Sequence, residues 1–414
     1  MKGKVTSVKQ ARKLRIACLV LALFLLLISA VGAYAEEERQ VTAWGNYCSN
    51  MGASYAPMNL NDQTCRMVVT LGISGDGLYI ELSNKHGAEP LVLDHVTFAE
   101  VVEGTQDEIV PETVCDVLFG GEQTAFIPAG ETLVSDKVEM TVLAGKEYAV
   151  STYVSGECLV SSGNQFNART YTSEVQGDRT SEASMLADIG GVVPFLRSIH
   201  VATADENARA FVIVGDSTSS NAWPGLLQER LEKCGLDNVS VIPRSVSGNR
   251  LMVDAAMPMF GEGVVNRFDD DVFSTEGVFA VLLKIGVNDI FQPSSQGTEA
   301  FTVEEMIAAE MKLIESAHEH GLLVYMMTIT PFNGYSSWSS GSVWTEELEA
   351  MRLAWNEWIM TTDSIDGYVD LCAGMTDPFD SSKLIEKYTF DSLHPSEIGL
   401  EFIANAVPLE WFTK

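Results

Sequence analysis

The chain has 414 residues, 46% hydrophobic and 20% charged, a globular composition with room for roughly two or three domains and unlike a disordered or coiled-coil chain. Its 57 acidic against 26 basic side chains give a formal charge of −31. With no cluster of Lys and Arg beyond the first fifteen residues, that balance excludes nucleic acid and disfavours an anionic membrane surface.

Residues 1–35 read as a targeting segment. Lys2, Lys4, Lys9, Arg12, Lys13 and Arg15 form a basic start, Ile16 to Val31 an apolar run of 16 residues, and Ala33-Tyr34-Ala35 a small-x-small cleavage pattern. The run is short for a membrane span, which needs about 20 residues. Cleavage after Ala35 is the expectation, with an uncleaved envelope anchor as the alternative. The exported part would hold 379 residues, 20 basic against 57 acidic, at −37. Export permits disulfides among Cys48, Cys65, Cys115 and Cys158, with Cys48–Cys65 the first pair to test and buried free thiols the competing reading.

From Val41 to about Thr203 the pattern is one of short strands: Arg66 to Ile73, Gly77 to Asn84, Leu91 to Glu100, Thr124 to Ile127, Val134 to Val142 and Glu147 to Val154. Turn signals such as Ser74-Gly75-Asp76-Gly77 separate them, and the spacing predicts an all-β sandwich over 36–203. Ser161 to Asp188 is polar and reads as long loops. From Arg209 the period changes. Strands are predicted at Ala210–Val214, Val239–Ile242, Val278–Ile285, Leu322–Thr330 and Gly367–Leu371. Helices are predicted at Trp223–Cys234, from the Thr302/Glu305 capping box to His320, at Thr345–Thr361, and from Pro395 to Trp411. This alternation predicts an α/β domain over 204–414, an open, flavodoxin-like parallel sheet. A nucleotide-binding role is disfavoured, because neither Gly-x-Gly-x-x-Gly nor a P-loop follows the first strand.

In such sheets ligands bind beyond the carboxyl ends of the strands. Gly215-Asp216-Ser217 follows the first strand, Ser247-Gly248-Asn249-Arg250 the second, Gly286-Val287-Asn288-Asp289 the third, and Asp391-Ser392-Leu393-His394-Pro395 the fifth. A Ser at a turn, a Gly that permits close backbone approach, a side-chain amide and an Asp/His pair supply the roles of serine acyl transfer. Asp216 and Asp289 read as turn-stabilising. His318 and His320 read as helix C-terminal polar residues, Asp269-Asp270-Asp271 as a solvated acidic turn, and Trp355 and Trp358 as core. Tyr335 and Trp338, in a Gly/Ser-rich loop after the fourth strand, are candidates for substrate contact.

These four blocks resemble the SGNH (GDSL) hydrolases, matching as Ser217, Gly248, Asn288 and His394 in the family's order. Asn266 to Asp271, Thr328 to Tyr335, Trp355 to Ile359 and Asp370 to Pro378 also look like secreted members. Leu82-Ser83-Asn84 and Ile127-Pro128-Ala129-Gly130 look like the β-domain that precedes the hydrolase in those members. The resemblance implies Ser217 as nucleophile, His394 as general base and then acid, Asp391 as its orienting carboxylate, and an oxyanion hole of the Ser217 and Gly248 N–H groups with the Asn288 side chain. It implies no metal and no organic cofactor. One segment departs from the pattern: Thr218-Ser219-Ser220-Asn221 stands where the family usually has Ile-Thr-Asp-Gly. The expected function is a secreted carboxylic ester hydrolase acting on a small-molecule or polysaccharide ester, with carbohydrate deacetylation favoured. The alternatives are a lipase and a non-catalytic glycan-binding protein.

Overall fold

The computed structural model describes residues 39–165, 168–185, 187–188, 192–220, 222–337 and 341–413. The targeting segment lies outside them. The N-terminal half is antiparallel. Its main strands are β1 (Gln40–Gly45), β2 (Asn59–Thr70), β3 (Gly75–Ser83), β4 (His95–Glu100), β5 (Val138–Val142), β6 (Glu147–Leu159), β7 (Arg169–Thr172) and β8 (Leu196–Ala202). One sheet runs β1-β8-β3-β5. The other centres on β7-β2-β6-β4. Period-2 alternation turns Ile80, Leu82, Ile199 and Val201 of the first sheet, and Met67, Val69, Phe98 and Val150 of the second, into one shared core.

Two predicted strands are broken. Leu91 to Glu100 bends at Asp94, and Val134 to Val142 is interrupted where Ser135 and Asp136 donate their N–H groups to Ile80 and Leu118. The polar stretch after Ser161 is not all loop, since it contributes β7 and a short strand at Ser162–Gln165. The six described cysteines are free thiols. Cys48 and Cys65 are both buried, the former with its Sγ donating to Leu196 O at 3.7 Å, and no bridge joins them.

The second half is an open five-stranded parallel sheet of β9 (Arg209–Gly215), β10 (Val239–Ser245), β11 (Val278–Lys284), β12 (Leu323–Met327) and β13 (Gly367–Val369), in the order β10-β9-β11-β12-β13. Helices α1 (Trp223–Lys233), α2 (Val264–Val272), α3 (Val287–Gln296), α4 (Val303–Glu319), α5 (Glu346–Thr361) and α6 (Glu397–Ala406) accompany it. The capping box at Thr302 and Glu305 is formed. The last predicted helix stops at Ala406, because Pro408 cannot continue the backbone ladder.

Both faces of the sheet are covered, so its strands read as unbroken apolar runs. Phe211, Ile213, Ala280 and Leu282 pack on α1 and α6, while Val212, Val214, Val281 and Leu283 join the core cluster shared with the sandwich. The two halves are also joined by polar bonds. Thr42 N donates to Glu276 O at 2.9 Å, Ser240 Oγ to Thr42 O at 2.5 Å, and buried Arg244 to Asn46 O. Gln40 to Lys414 is therefore one compact unit. Among the described residues no helix is long and apolar enough to cross a membrane.

Candidate active site

Strand register puts Gly215, Ser245 and Lys284 level at the carboxyl edge of the sheet, where the strand order reverses around β9. The chain leaves β9 through a tight turn. Asp216 Oδ1 accepts from Thr218 N at 2.8 Å and Thr218 Oγ1 at 2.7 Å, and its carbonyl accepts from Ser219 N and Ser220 N. Asp216 thus stabilises the turn, as the sequence suggests. Helix α1 opens only at Trp223, so the donors nearest Ser217 are the amides of this turn.

The departing Thr-Ser-Ser segment is buried beneath the site. Thr218 Oγ1 accepts from the buried ammonium of Lys284, and Thr218 O from Trp223 Nε1 at 3.0 Å. Burial pushes the Lys284 pKa down, against the opposing pull of Asp216 and Cys372. A cavity of about 10 Å³, at the limit for one water-sized group, lies between Thr218, Lys284, Ile329, Thr330 and Leu393. Asn221 is outside the described residues.

Asp391 and His394 are placed by a turn that closes on itself. Asp391 Oδ1 accepts from Leu393 N at 3.0 Å and His394 N at 2.7 Å, while Phe390 N and Thr389 Oγ1 donate to His394 O. Ser392 takes a left-handed φ of 75° at the apex, a conformation that such short polar side chains tolerate only in turns held like this one. The other carboxylate oxygen, Asp391 Oδ2, lies 2.6 Å from His394 Nδ1, and His394 Nε2 lies 2.8 Å from Ser217 Oγ. With Nδ1 facing a carboxylate, the ring proton belongs there and Nε2 is left to accept from the serine. Partial burial would raise the Asp391 pKa, but the bonds from the His394 ring and from the His394 and Leu393 amides hold it below the usual carboxylate range.

Gly248 adopts φ 76°, and a Cβ there would stand 2.7 Å from Phe260 Cγ, so only glycine fits. Its carbonyl accepts from Gln292 Nε2 at 3.0 Å. Asn288 is the second residue of α3, and its Nδ2 donates to Asn249 O at 2.9 Å. Asp289 accepts from Leu251 N at 2.8 Å and Met252 N at 3.1 Å, so it ties α3 to the loop after β10 instead of capping its own turn. Burial raises its pKa to about 6 despite those bonds and the nearby Arg250. Helix α3 carries little helical signal in the sequence, being ten residues long with Pro293 inside it.

Four residues packed around this edge were not singled out by the sequence pattern. Arg267 donates from Nε and Nη2 to Asn249 Oδ1, from Nη1 to Arg244 O at 2.7 Å, and from Nη2 to Gly215 O at 3.4 Å. Tyr47 of the sandwich lies under its guanidinium, 4.5 Å from carbon Cζ to ring centre, and accepts from Glu262 N at 3.2 Å. Lys284 has the position described above. Glu310 on α4 is buried with neither carboxylate oxygen hydrogen-bonded among the described residues, and burial, reinforced by Asp289, raises its pKa to about 8. A Lys ending an apolar strand and a Glu inside an apolar helical stripe were the only visible hints.

Asp269-Asp270-Asp271 is helical and not a turn, and although Asp269 and Asp270 are exposed, Asp271 is not solvated. It lies in α2, with Asp271 2% exposed and paired to Arg267, and Asp270 paired to Arg197 and Lys85. His318 meets Asp366 at 3.0 Å, whereas His320 stacks on Phe273, so the two imidazoles serve separate partners. Trp355 is buried in the core against Trp358. Tyr335 meets the His394 ring edge-on at 5.7 Å, and Trp338 lies outside the described residues. No group of His, Cys, Asp and Glu among the described residues is arranged to hold a metal ion.

Comparison with known proteins places residues 211–401 in a recognised family, the GDSL-like lipase/acylhydrolases. The chain is similar to the crystal structure of a GDSL-like lipase from Bacteroides thetaiotaomicron, at 17% identity over 51% of this chain and 92% of that one, with a TM-score of 0.40. It is similar to an acetyl xylan esterase at 20% identity over 49% and 98%, TM-score 0.38. It is also similar to an acetyl xylan esterase from Geobacillus stearothermophilus at 15% identity over 49% and 94%, TM-score 0.39. No curated protein matches the chain.

Proposed function

We propose that this chain, whose residues 211–401 match the GDSL-like lipase/acylhydrolase family, is an exported serine esterase working through Ser217, His394 and Asp391. The observation that carries this reading is the position of His394, whose two ring nitrogens lie 2.8 Å from Ser217 Oγ and 2.6 Å from Asp391 Oδ2. In this reading Ser217 Oγ attacks the ester carbonyl as His394 Nε2 takes its proton, and Asp391 stabilises the imidazolium. The oxyanion is received by the Ser217 and Gly248 N–H groups and by Asn288 Nδ2, which is held in one rotamer by Asn249 O. His394 then passes its proton to the departing alcohol. Water, activated by the same imidazole, releases the acid from the acyl-enzyme.

The formal charge of −37 on the exported part favours a neutral substrate over an anionic polymer, and an acetylated carbohydrate meets that condition. Hydrolysis of p-nitrophenyl acetate by the wild type and by Ser217→Ala tests the proposal. The wild type should be faster by about 1,000-fold or more, given what removal of a triad member costs. Equal rates sink it. Export rests on the basic, apolar and Ala-x-Ala pattern of residues 1–35, and the mature protein recovered outside the cell should begin at Glu36.

A further inference from the structure

We propose that Phe390 forms the platform on which the alcohol half of the ester docks, and that this alcohol is a pyranoside. The inference rests on the serine-esterase reading above and extends it to the leaving group. His394 Nε2 must deliver a proton to the departing oxygen, so the alcohol has to lie within hydrogen-bond reach of that nitrogen. The residue flanking it there is Phe390, 72% exposed, its ring nearly parallel to the imidazole at 14° with centroids 5.7 Å apart. The relation is built in. Phe390 N donates to His394 O at 3.2 Å, which closes the same turn that Asp391 Oδ1 holds from inside, so ring and base move together.

A large apolar ring left in water beside a catalytic base, with Tyr335 at the imidazole edge, is the arrangement that stacks on a ligand's apolar face. The surroundings are not those of a lipid groove. Ser392 lies within the turn, against Gly334, and the adjoining loop carries Asn333 and Tyr335. A ligand with one apolar face and a rim of hydroxyls meets both features, and a pyranose ring has that form.

The test compares wild type, Phe390→Ala and Phe390→Trp on acetylated methyl xylopyranoside, phenyl acetate and triacetin, the last an acyclic ester with no ring to stack. For Phe390→Ala the ratio of kcat/KM on the pyranoside to that on triacetin should fall about tenfold, mainly through KM, and Phe390→Trp should restore it. An unchanged ratio overturns the proposal, because Phe390 then acts only through His394. An equal fall with phenyl acetate also overturns it, because the platform would then take any flat ring. A wild type inactive on all three esters would instead sink the underlying esterase reading.

Discussion

Arg267 donates two hydrogen bonds to the Oδ1 of Asn249, at 3.3 and 2.9 Å, while the backbone carbonyl of that same asparagine accepts the Nδ2 of Asn288. One buried cation therefore fixes the residue that aims a candidate oxyanion donor. Asn249 Nδ2 in turn donates to Phe260 O and Glu262 O, and Glu262 N donates to Tyr47 in the sandwich. The antiparallel half thus supports the catalytic edge through named bonds.

Replacing Arg267 should therefore impair turnover more than binding. Because it also pairs with buried Asp271, the informative variant is Arg267→Met with Asp271→Asn, which removes both members of that ion pair together. Its kcat should fall about 100-fold, the scale expected for a misplacement of roughly 1 Å, with KM nearly unchanged. Steady-state kinetics beside a thermal melt decide it. A variant that melts earlier but turns over normally when folded would show the arginine to be structural only.

Asn288→Ala should lower kcat by about 100- to 1,000-fold, the usual cost of one oxyanion donor, without a comparable change in KM. Affinity for a tetrahedral boronate should drop in parallel. Tight boronate binding in the variant would assign the donor role elsewhere.

Asp391→Asn should cost about 10,000-fold in kcat, because an amide at Oδ2 presents the wrong partner to Nδ1 and favours the unproductive tautomer. The carboxylate also affects stability. Its pKa lies below the unfolded value, so its contribution is present above roughly pH 4 and is lost as pH falls through the folded value. The variant should accordingly show a flatter acid limb when Tm is measured against pH.

Glu310 has the opposite sign. Its folded pKa of about 8 lies above the unfolded value, so between roughly pH 4.5 and 8 the native state holds a proton that the unfolded chain has released. Native stability from this group is thus complete below that window and declines as pH rises through it. Glu310→Gln should raise Tm by a few degrees at pH 8, roughly what 1–2 kcal/mol gives in a chain of this size, and have little effect at pH 4. A gain of equal size at both pH values would refute the titration account.

Much of this site was legible in the sequence because its parts are local. An Asp three residues before a His makes its own turn through backbone bonds, and the Asp of Gly-Asp-Ser braces its own turn through the amide two residues on. The alternating periods of 2 and 3.6 likewise marked the sandwich, the parallel sheet and four of the helices. The misreadings share a cause. Three consecutive Asp look like a solvated turn unless Arg197 and Lys85 are known to meet Asp270, and Arg267 to meet Asp271, and two of those cations come from strands or loops of the other half.

By itself, then, the sequence determined the change from an all-β half to an α/β half, the five parallel strands, four of the helices, the four strand-end motifs and the spacing of Asp391 and His394, all of which depend on neighbours a few residues apart. Only the tertiary structure decided which surface holds Asn249, what lies beneath Ser217, and which aromatic stands in water beside the base. Tyr47 and Glu262 are 215 residues apart, and Lys284 and Thr218 are 66 apart. Contacts at such separations are set by how the sheets pack, and a chain's local pattern carries no record of that packing.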